Sequence, residues 1–275
     1  MILKNIYNKK IPEIKIPEQW EERNFINSPF IEIPKTVKNG EEMKVVLDLQ
    51  YPKLGMKNAI NRCLIRKEAL ERLLLACTYI PKGFSFKIWD VYRPWNLQNE
   101  LYYTYKPVII KKFKLEKLSI EEQEKVINSY IAIPSKDKSL PPVHTTGGAI
   151  DLTIINNKNM EELNFGMGFD TFSELTNTIA FEKDRVDETI KNNRRLLYNI
   201  MIEAGFTNLP SELWHFDYGN KNWGYYNKEK VIYEGVFKID EIKNVISFEE
   251  FINALKKENT NISKELKKYQ WNYEK

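Results

Sequence analysis

The amino-acid sequence predicts an α+β fold in which a small antiparallel sheet is flanked by helices. The chain mixes stretches where polar and apolar residues alternate with stretches whose apolar residues recur at helical spacing. These two kinds of stretch do not follow each other as regular β-α-β units, which argues against a doubly wound parallel sheet. A length of 275 residues, of which 42% are hydrophobic and 29% charged, suffices for one substantial core plus a modest appendage.

The first half of the chain is predicted to contain two strand–helix pairs. Residues 44–49 look like a first strand, and apolar residues at helical spacing predict a core helix at residues 60–79. Polar and apolar side chains alternate over residues 85–92, which indicates a second strand. The dipeptide Arg93-Pro94 closes that strand and opens a helix that runs to about residue 113.

The second half is predicted to contain helices near residues 120–130 and 185–204 and strands at residues 149–155, 214–218 and 235–239. A polar loop with several prolines precedes the first of these strands, and a loop with two glycines follows it. The charged C-terminal stretch is predicted to form a helix whose apolar stripe packs against the domain.

We expect three regions along the chain. Residues 1–43 would form an N-terminal extension packed on the domain, because prolines punctuate them and their alternating runs are short. Residues 44–230 would form the functional domain. Residues 231–275 would add a C-terminal extension with a strand and a helix.

Charge and cysteine content exclude several classes of protein. The 42 basic and 38 acidic residues give a net charge of +4 and are interspersed, whereas nucleic-acid-binding proteins concentrate positive charge on one face. No segment approaches the ~18 apolar residues of a membrane span, and residues 1–20 lack the apolar stretch of a secretory signal. The two cysteines, Cys63 and Cys77, are predicted to be unpaired thiols. We therefore expect a cytoplasmic protein that binds neither nucleic acid nor membranes, and leave its oligomeric state open.

The first of only two histidines lies in an unusual loop. His144 is followed by Gly147-Gly148, which allow the chain to turn with positive φ, and then by the predicted strand that contains Asp151. Because successive strand residues point to opposite faces, Asp151 points away from its apolar neighbours and towards the side that His144 can reach. A carboxylate on that side is costly unless it is paired or binds a metal ion.

The second histidine, His215, lies in a short aromatic strand that also contains Asp217 on the same face. Glu212 precedes His215 by three residues, so a regular strand would place it on the wrong side. The dipeptide Pro210-Ser211 predicts a bend that brings Glu212 alongside His215. Two imidazoles and one carboxylate leave the fourth position of a tetrahedral zinc site open, which is typical of catalytic zinc.

Each of these residues has a simpler interpretation when it is taken alone. A loop histidine such as His144 more often bonds to backbone, Asp151 more often is a turn or surface carboxylate, and Glu-x-x-His arises by chance in many proteins. The combination is more specific, because a histidine and an aspartate flank a glycine pair and Glu-x-Trp-His follows in an aromatic strand. The joint pattern favours a zinc site.

The segments HTTGGAIDLT (144–153) and ELWHFDYG (212–219) resemble the two zinc-site motifs of the D-alanyl-D-alanine dipeptidase family. That family includes the vancomycin-resistance dipeptidase and is related to D,D-carboxypeptidases and hedgehog-like zinc domains. Three further segments are similar to family segments in the same order: LDLQY (47–51), DVYRP (90–94) and MGFD (167–170). The resemblance covers about residues 44–223 and implies that the predicted sheet carries the zinc site.

The resemblance implies a role for each matching residue at the metal. His144, Asp151 and His215 would be the ligands of one zinc ion. Glu212 would be the general base, and Arg93 would stabilise the oxyanion of the tetrahedral intermediate. Without the zinc motifs, Arg93 would be interpreted as a cation at a strand end that caps carbonyl groups.

The resemblance also implies substrate contacts. Asp170 would receive the ammonium group of the substrate, although a loop carboxylate can equally cap a helix, and Tyr92 and Trp214 would help to bind the peptide. One position departs from the family pattern, because Pro142 stands where the family usually has a serine. That departure removes a hydroxyl contact and puts the dipeptide preference in doubt, but it leaves the metal ligands intact.

The expected activity is zinc-dependent hydrolysis of D-Ala-D-Ala or a similar short D-amino-acid peptide. A cytoplasmic enzyme would meet the free dipeptide rather than cross-linked cell wall, which favours a dipeptidase over a D,D-carboxypeptidase or other peptidoglycan peptidase. A non-catalytic zinc-binding module is a second alternative, against which Glu212 and Arg93 argue. A structural protein with coincidental motifs is the third, and metal analysis would exclude it.

Overall fold

The computed structural model describes residues 6–14, 22–138, 140–183 and 185–274. The described strands are β1 (Phe30–Glu32), β2 (Thr36–Asn39), β3 (Glu42–Leu47), β4 (Leu64–Arg66), β5 (Phe84–Asp90), β6 (Ala149–Asn156), β7 (Thr207–Asn208), β8 (His215–Asp217), β9 (Val245–Ser247) and β10 (Trp271–Glu274). The described α-helices are α1 (Gln50–Lys53), α2 (Lys67–Tyr79), α3 (Trp95–Phe113), α4 (Ile120–Asn128), α5 (Glu188–Glu203), α6 (Lys221–Asn227), α7 (Phe248–Lys257) and α8 (Asn261–Leu266). The predicted α+β class is confirmed.

Seven of the strands form one central sheet in the order β10-β2-β3-β5-β6-β8-β7. Neighbouring strands pair antiparallel except β3 and β5, which pair parallel. The sheet is therefore mixed, and larger than the small antiparallel sheet that we expected. A parallel pair needs a long crossover connection, and the segment between β3 and β5 provides one that includes α2.

A second sheet has three strands in the order β4-β1-β9. It explains why the helix predicted at residues 60–79 begins only at Lys67, since Leu64–Arg66 pair antiparallel with β1. The strand predicted at residues 235–239 is not formed, and β9, which pairs parallel with β1, lies further along the chain. Periodicity alone could not separate these short apolar runs, because their structure depends on a distant pairing partner.

Strands from both expected extensions join the central sheet. Strand β2, within residues 1–43, pairs with β3, and β10, within residues 231–275, pairs with β2. Strand β3 itself crosses the expected boundary between residues 43 and 44. Residues 1–5 and 15–21 of the N-terminal extension lie outside the described residues.

The main hydrophobic core lies where α2 and α5 pack against the central sheet. Leu70, Leu73 and Leu74 of α2 and Ile200 and Met201 of α5 are fully buried in it. The apolar stripe of the C-terminal helix α7 is also buried, as predicted. Cys63 and Cys77 are buried free thiols. No helix in the described part of the chain is long and apolar enough to cross a membrane.

Candidate metal-dependent active site

A cavity of about 500 Å³ contains both histidines of the chain. His144 lies on a 3₁₀ turn (Val143–Thr146) that leads into β6, and Asp151 lies on β6 itself. His215 begins β8, directly opposite Asp151 in the antiparallel pairing of the two strands. All three side chains are buried, and the sheet register therefore brings together residues that lie up to 71 positions apart.

The ligand atoms of His144, Asp151 and His215 form a compact triangle. His144 Nε2 lies 3.2 Å from His215 Nδ1 and 3.3 Å from Asp151 Oδ2, and His215 Nδ1 lies 2.9 Å from Asp151 Oδ1. A tetrahedral ion with bonds of about 2.0–2.1 Å separates its ligand atoms by roughly 3.3 Å. The three residues therefore fit a metal ion with little rearrangement, and they are the group of the described chain that could hold one.

The second nitrogen of each imidazole contacts an oxygen atom outside this triangle. His144 Nδ1 lies 2.7 Å from the Val91 carbonyl oxygen, to which it donates when Nε2 is left free to bind a metal. His215 Nε2 lies 3.1 Å from Asp217 Oδ1, at an angle outside that of a regular hydrogen bond. The side chains of Asn220 and Asn222 donate to Asp217, at 2.6 and 3.0 Å. These contacts fix which nitrogen of each ring faces the cavity.

Asp217 lies beside the candidate metal ligands, and the sequence interpretation gave it no role. Its position two residues after His215 was recognised as the same strand face, and that spacing is the signal from which a contact to the ring could have been inferred. The carboxyl group is fully buried. Burial would raise the pKa of Asp217, but His215 and the two asparagine amides outweigh burial and lower that pKa.

The glycine pair shapes the turn that presents His144. Gly147 has φ +72°, as predicted, and a Cβ there would lie 2.2 Å from the Phe30 ring. Gly148 does not have positive φ, contrary to expectation, but a Cβ there would lie 2.3 Å from the Tyr218 carbonyl oxygen. One glycine is thus required for its backbone conformation and the other for close packing.

The predicted bend before His215 is confirmed. Glu212 N donates to the Leu209 carbonyl oxygen at 3.0 Å, and His215 N donates to the Glu212 carbonyl oxygen at 3.2 Å. The carboxylate of Glu212 reaches 3.9 Å from His215 Nδ1 and lines the cavity. Burial raises the pKa of Glu212 to about 8.

Arg93 lies beside the triangle and is held by three hydrogen bonds. It donates from Nε to Asp90 Oδ2 (2.9 Å), from Nη1 to Gln98 Oε1 (2.8 Å) and from Nη2 to Tyr51 Oη (3.0 Å). Its Nη2 also lies 3.5 Å from Asp151 Oδ2. Since guanidinium has five N–H donors, the cavity side of Arg93 retains donors for a ligand.

Asp170 lines the same cavity, on the side of Arg93 and Tyr51. Its Oδ2 accepts a hydrogen bond of 3.2 Å from the Tyr51 hydroxyl, and its backbone has φ +49°. Burial raises the pKa of Asp170 to about 7, although Arg93 acts in the opposite direction.

The two aromatic residues expected to bind substrate do not line the cavity. The Tyr92 ring packs edge-on against Phe30, with centroids 5.5 Å apart, and is 2% exposed. Trp214 is 3% exposed and faces Phe169, because neighbouring residues of a strand point to opposite sides and His215 takes the cavity side. Pro142 does line the cavity.

Strands β6 and β8 and the turn before β6 thus bring a His–Asp–His group that could hold a metal ion to a cavity that also contains a carboxyl group and a guanidinium. The chain belongs to the family described as D-ala-D-ala dipeptidase (peptidase M15), a family of metallopeptidases, whose model matches residues 52–234. This match covers more than half of the chain.

Individual relatives agree with the family match. A D-alanyl-D-alanine dipeptidase of Synechocystis is 28% identical over 185 residues, which covers 60% of this chain and 74% of the relative. The protein of the same name from Escherichia coli is 28% identical over 157 residues, covering 57% of this chain and 67% of the relative. That from Enterococcus faecium is 28% identical over 176 residues, covering 57% and 74%.

Proposed function

We propose that this protein is a zinc-dependent dipeptidase that hydrolyses D-Ala-D-Ala or a similar short D-amino-acid peptide. The observation that carries the proposal is the triangle of His144 Nε2, Asp151 and His215 Nδ1, with sides of 2.9–3.3 Å, beside the carboxyl group of Glu212. The names of the relatives supply the substrate, and the family supplies the reaction class.

The three ligands that we propose for zinc are His144, Asp151 and His215. Two neutral imidazoles and one carboxylate are a typical donor set for catalytic zinc, which keeps a further position open. When bound, zinc supplies Lewis acidity, which polarises a peptide carbonyl and lowers the pKa of water.

Glu212 would act as the general base. Its carboxylate lies at the edge of the ligand triangle, 3.9 Å from His215 Nδ1, where it can take a proton from the attacking water. It would then give that proton to the nitrogen of the leaving amine, so that the same group serves both halves of the reaction. A cation held by the three ligands would lower the raised pKa of Glu212 and favour its ionised form, which accepts the proton.

Arg93 and Asp170 would each bind a polar group of the dipeptide. The guanidinium of Arg93 is positioned by Asp90, Gln98 and Tyr51 and would stabilise negative charge on the carbonyl oxygen. Asp170 would receive the ammonium group of the dipeptide, held in place by Tyr51. We propose a catalytic domain over residues 44–230, to whose central sheet the flanking regions add β2 and β10.

A peptide panel tests the proposal. The purified protein is assayed with D,D, L,D and L,L dipeptides and with a stem pentapeptide, in each case with and without a chelator, and its zinc content is measured. We expect about one zinc per chain and chelator-sensitive cleavage of the D,D dipeptide above the others. Preference for the pentapeptide would instead indicate a D,D-carboxypeptidase, and zinc without any hydrolysis would indicate a binding module.

A further inference from the structure

Among the described residues, one arginine and one lysine line the cavity, Arg93 and Lys221. The guanidinium of Arg93 is already bonded to Asp90, Gln98 and Tyr51. Lys221, in contrast, makes no salt bridge within 4.0 Å to any carboxylate of the described chain, and Asp217 and Asp137 act on it only as nearby charges. Among the described residues that line the cavity, Lys221 is therefore the cation without a carboxylate at salt-bridge distance, and its ammonium group is available to an anionic ligand in addition to the remaining donors of Arg93.

The surroundings of Lys221 explain why no carboxylate of the described residues forms a salt bridge with it. Asp217, the nearest buried carboxylate in sequence, already receives the side-chain amides of Asn220 and Asn222 and contacts His215. Asn220 also caps α6 by accepting hydrogen bonds from two backbone N–H groups, which fixes the start of the helix and hence the position of Lys221. Burial lowers the pKa of Lys221, as expected for an ammonium group whose charge is incompletely compensated.

Different chains of side-chain contacts connect Asp170 and Lys221 to the candidate metal ligands. Asp170 is linked to Asp151 by way of Tyr51 and Arg93, with contacts of 3.2, 3.0 and 3.5 Å. Lys221 precedes Asn222 in the chain, the Asn222 side chain donates to Asp217, and Asp217 contacts His215. Asp170 and Lys221 thus add one acidic and one basic side chain to the cavity beyond the ligand triangle, Glu212 and Arg93.

We propose that Lys221 binds the C-terminal carboxylate of the dipeptide and is a residue by which this chain selects the free acid. The inference rests on the proposed function and deepens it. A zwitterionic dipeptide would place its ammonium group at Asp170 and its carboxylate at Lys221, with its single peptide bond beside the metal ligands. Hydrogen bonds to a charged group are among the stronger ones, so this contact contributes to binding and to substrate selection.

The test compares D-Ala-D-Ala with its C-terminal amide, using the zinc-loaded wild-type protein and the variants Lys221→Met, Lys221→Arg and Lys230→Met. Methionine keeps an unbranched apolar stem but removes the charge, arginine keeps the charge, and Lys230 is an exposed lysine outside the cavity. We expect wild type to prefer the free acid and Lys221→Met to raise its KM for the acid about 10- to 100-fold. The KM for the amide should not change, and Lys221→Arg should restore part of the preference. Lys230→Met should behave as wild type.

A binding measurement separates recognition from turnover. In the Glu212→Gln background, calorimetry should show weaker binding of D-Ala-D-Ala when Lys221→Met is added, with unchanged zinc content and thermal unfolding. Equal use of acid and amide by wild type, or an equal loss of both in Lys221→Met, would overturn the role of Lys221 while leaving a dipeptidase. If wild type cleaved neither compound, the proposed function would fail and this inference with it.

Discussion

Glu212 combines a buried carboxyl group with a position at the edge of the ligand triangle. If it is the general base, Glu212→Gln removes proton transfer while leaving all three metal ligands in place. We expect kcat for D-Ala-D-Ala to fall about 10²- to 10⁴-fold, with zinc stoichiometry unchanged. Steady-state kinetics and metal analysis measure the two effects, and Glu203→Gln, at the exposed end of α5, is the control. Near-normal turnover in Glu212→Gln would reject the assignment.

Asp217 contacts the imidazole of His215 on the side away from the cavity. Carboxylates in this position orient the ring and increase its basicity, and their loss typically weakens metal binding about 10- to 100-fold. We therefore expect Asp217→Asn to lower zinc affinity by that amount, measured by competition with a chromophoric chelator. Asp240→Asn, which alters an exposed aspartate, should leave the affinity unchanged. An unaltered affinity in Asp217→Asn would show that the contact does not support the ligand.

Single residues of the site were predictable to different degrees. Strand alternation and the glycine turn predicted which way His144, Asp151 and His215 point, and the family resemblance implied that the three meet. The pairing of β6 with β8, which brings Asp151 and His215 together, has no local signal. Tyr92 and Trp214 were expected to contact substrate, but both rings are buried and neither lines the cavity. Strand alternation identifies the face of a side chain, whereas cavity lining also depends on which distant elements cover that face.

At the scale of elements, Arg66 at the end of β4 donates hydrogen bonds to the turn that contains His144. Arg66 donates from Nε to the Thr146 carbonyl oxygen (2.9 Å) and from Nη1 to the Ser28 carbonyl oxygen (2.7 Å). Its backbone N–H donates to the Gly147 carbonyl oxygen at 2.9 Å, and its guanidinium lies 4.1 Å from the Phe30 ring centroid. The element that carries a proposed ligand is thus fixed by β1 and β4 of the second sheet.

Arg66→Met should therefore destabilise the protein and loosen the turn. It leaves two buried carbonyl groups without a donor, each costing about 1–3 kcal/mol, so we expect a loss of about 2–4 kcal/mol in the free energy of unfolding. Arg62→Met is the matched control, because Arg62 forms a half-exposed salt bridge with Glu32 and should cost less than about 1 kcal/mol. Urea unfolding measures both values. Equal losses in the two variants would contradict the positioning role.

The type of an element was predicted correctly where its hydrophobic pattern was long. The prediction was wrong where pairing with a distant strand determines the structure. The helix from Trp95 to Phe113 begins and ends as expected, because Pro94 and its periodic apolar residues mark it locally. Residues 64–66 were assigned to a helix because Ile65 fits helical spacing with Leu70 and Leu73, yet their pairing with β1 makes them a strand. No local signal reports a partner more than 30 residues away.

At the scale of the whole molecule, the order of the central sheet brings together parts of the chain that are far apart in sequence. Strand β10 pairs with β2, so Tyr273 lies opposite Val37. The α+β class could be predicted from the irregular mix of elements, but this order could not, because many strand orders satisfy the same hydrophobic pattern. The parallel pairing of β3 with β5 was likewise decided by the crossover and not by either strand alone.

The buried carboxyl groups of the cavity link the stability of the whole molecule to pH. Burial raises the pKa of Glu212 to about 8 and that of Asp170 to about 7, both above the values of an unfolded chain. A group whose pKa is raised by folding stabilises the folded state fully below its unfolded pKa, and this contribution is lost as pH rises through the folded pKa. The metal-free protein should therefore lose stability between about pH 5 and pH 8. Asp151, whose pKa is lowered despite its burial because His144 and His215 are close, stays ionised throughout this window.

Zinc should reverse this loss, because a cation in the triangle favours the ionised carboxylates and the neutral imidazoles. We expect the difference in Tm between zinc-loaded and chelator-treated protein to grow from pH 5.5 to pH 8, as fewer protons compete with the metal. Thermal unfolding at fixed ionic strength measures it at each pH. In the double variant Glu212→Gln, Asp170→Asn, the decline in stability of the metal-free protein should be shallower, because neither amide titrates, while the His–Asp–His ligands still bind zinc. A zinc-dependent Tm difference that stayed constant over this range would mean that these protons are not displaced by the metal.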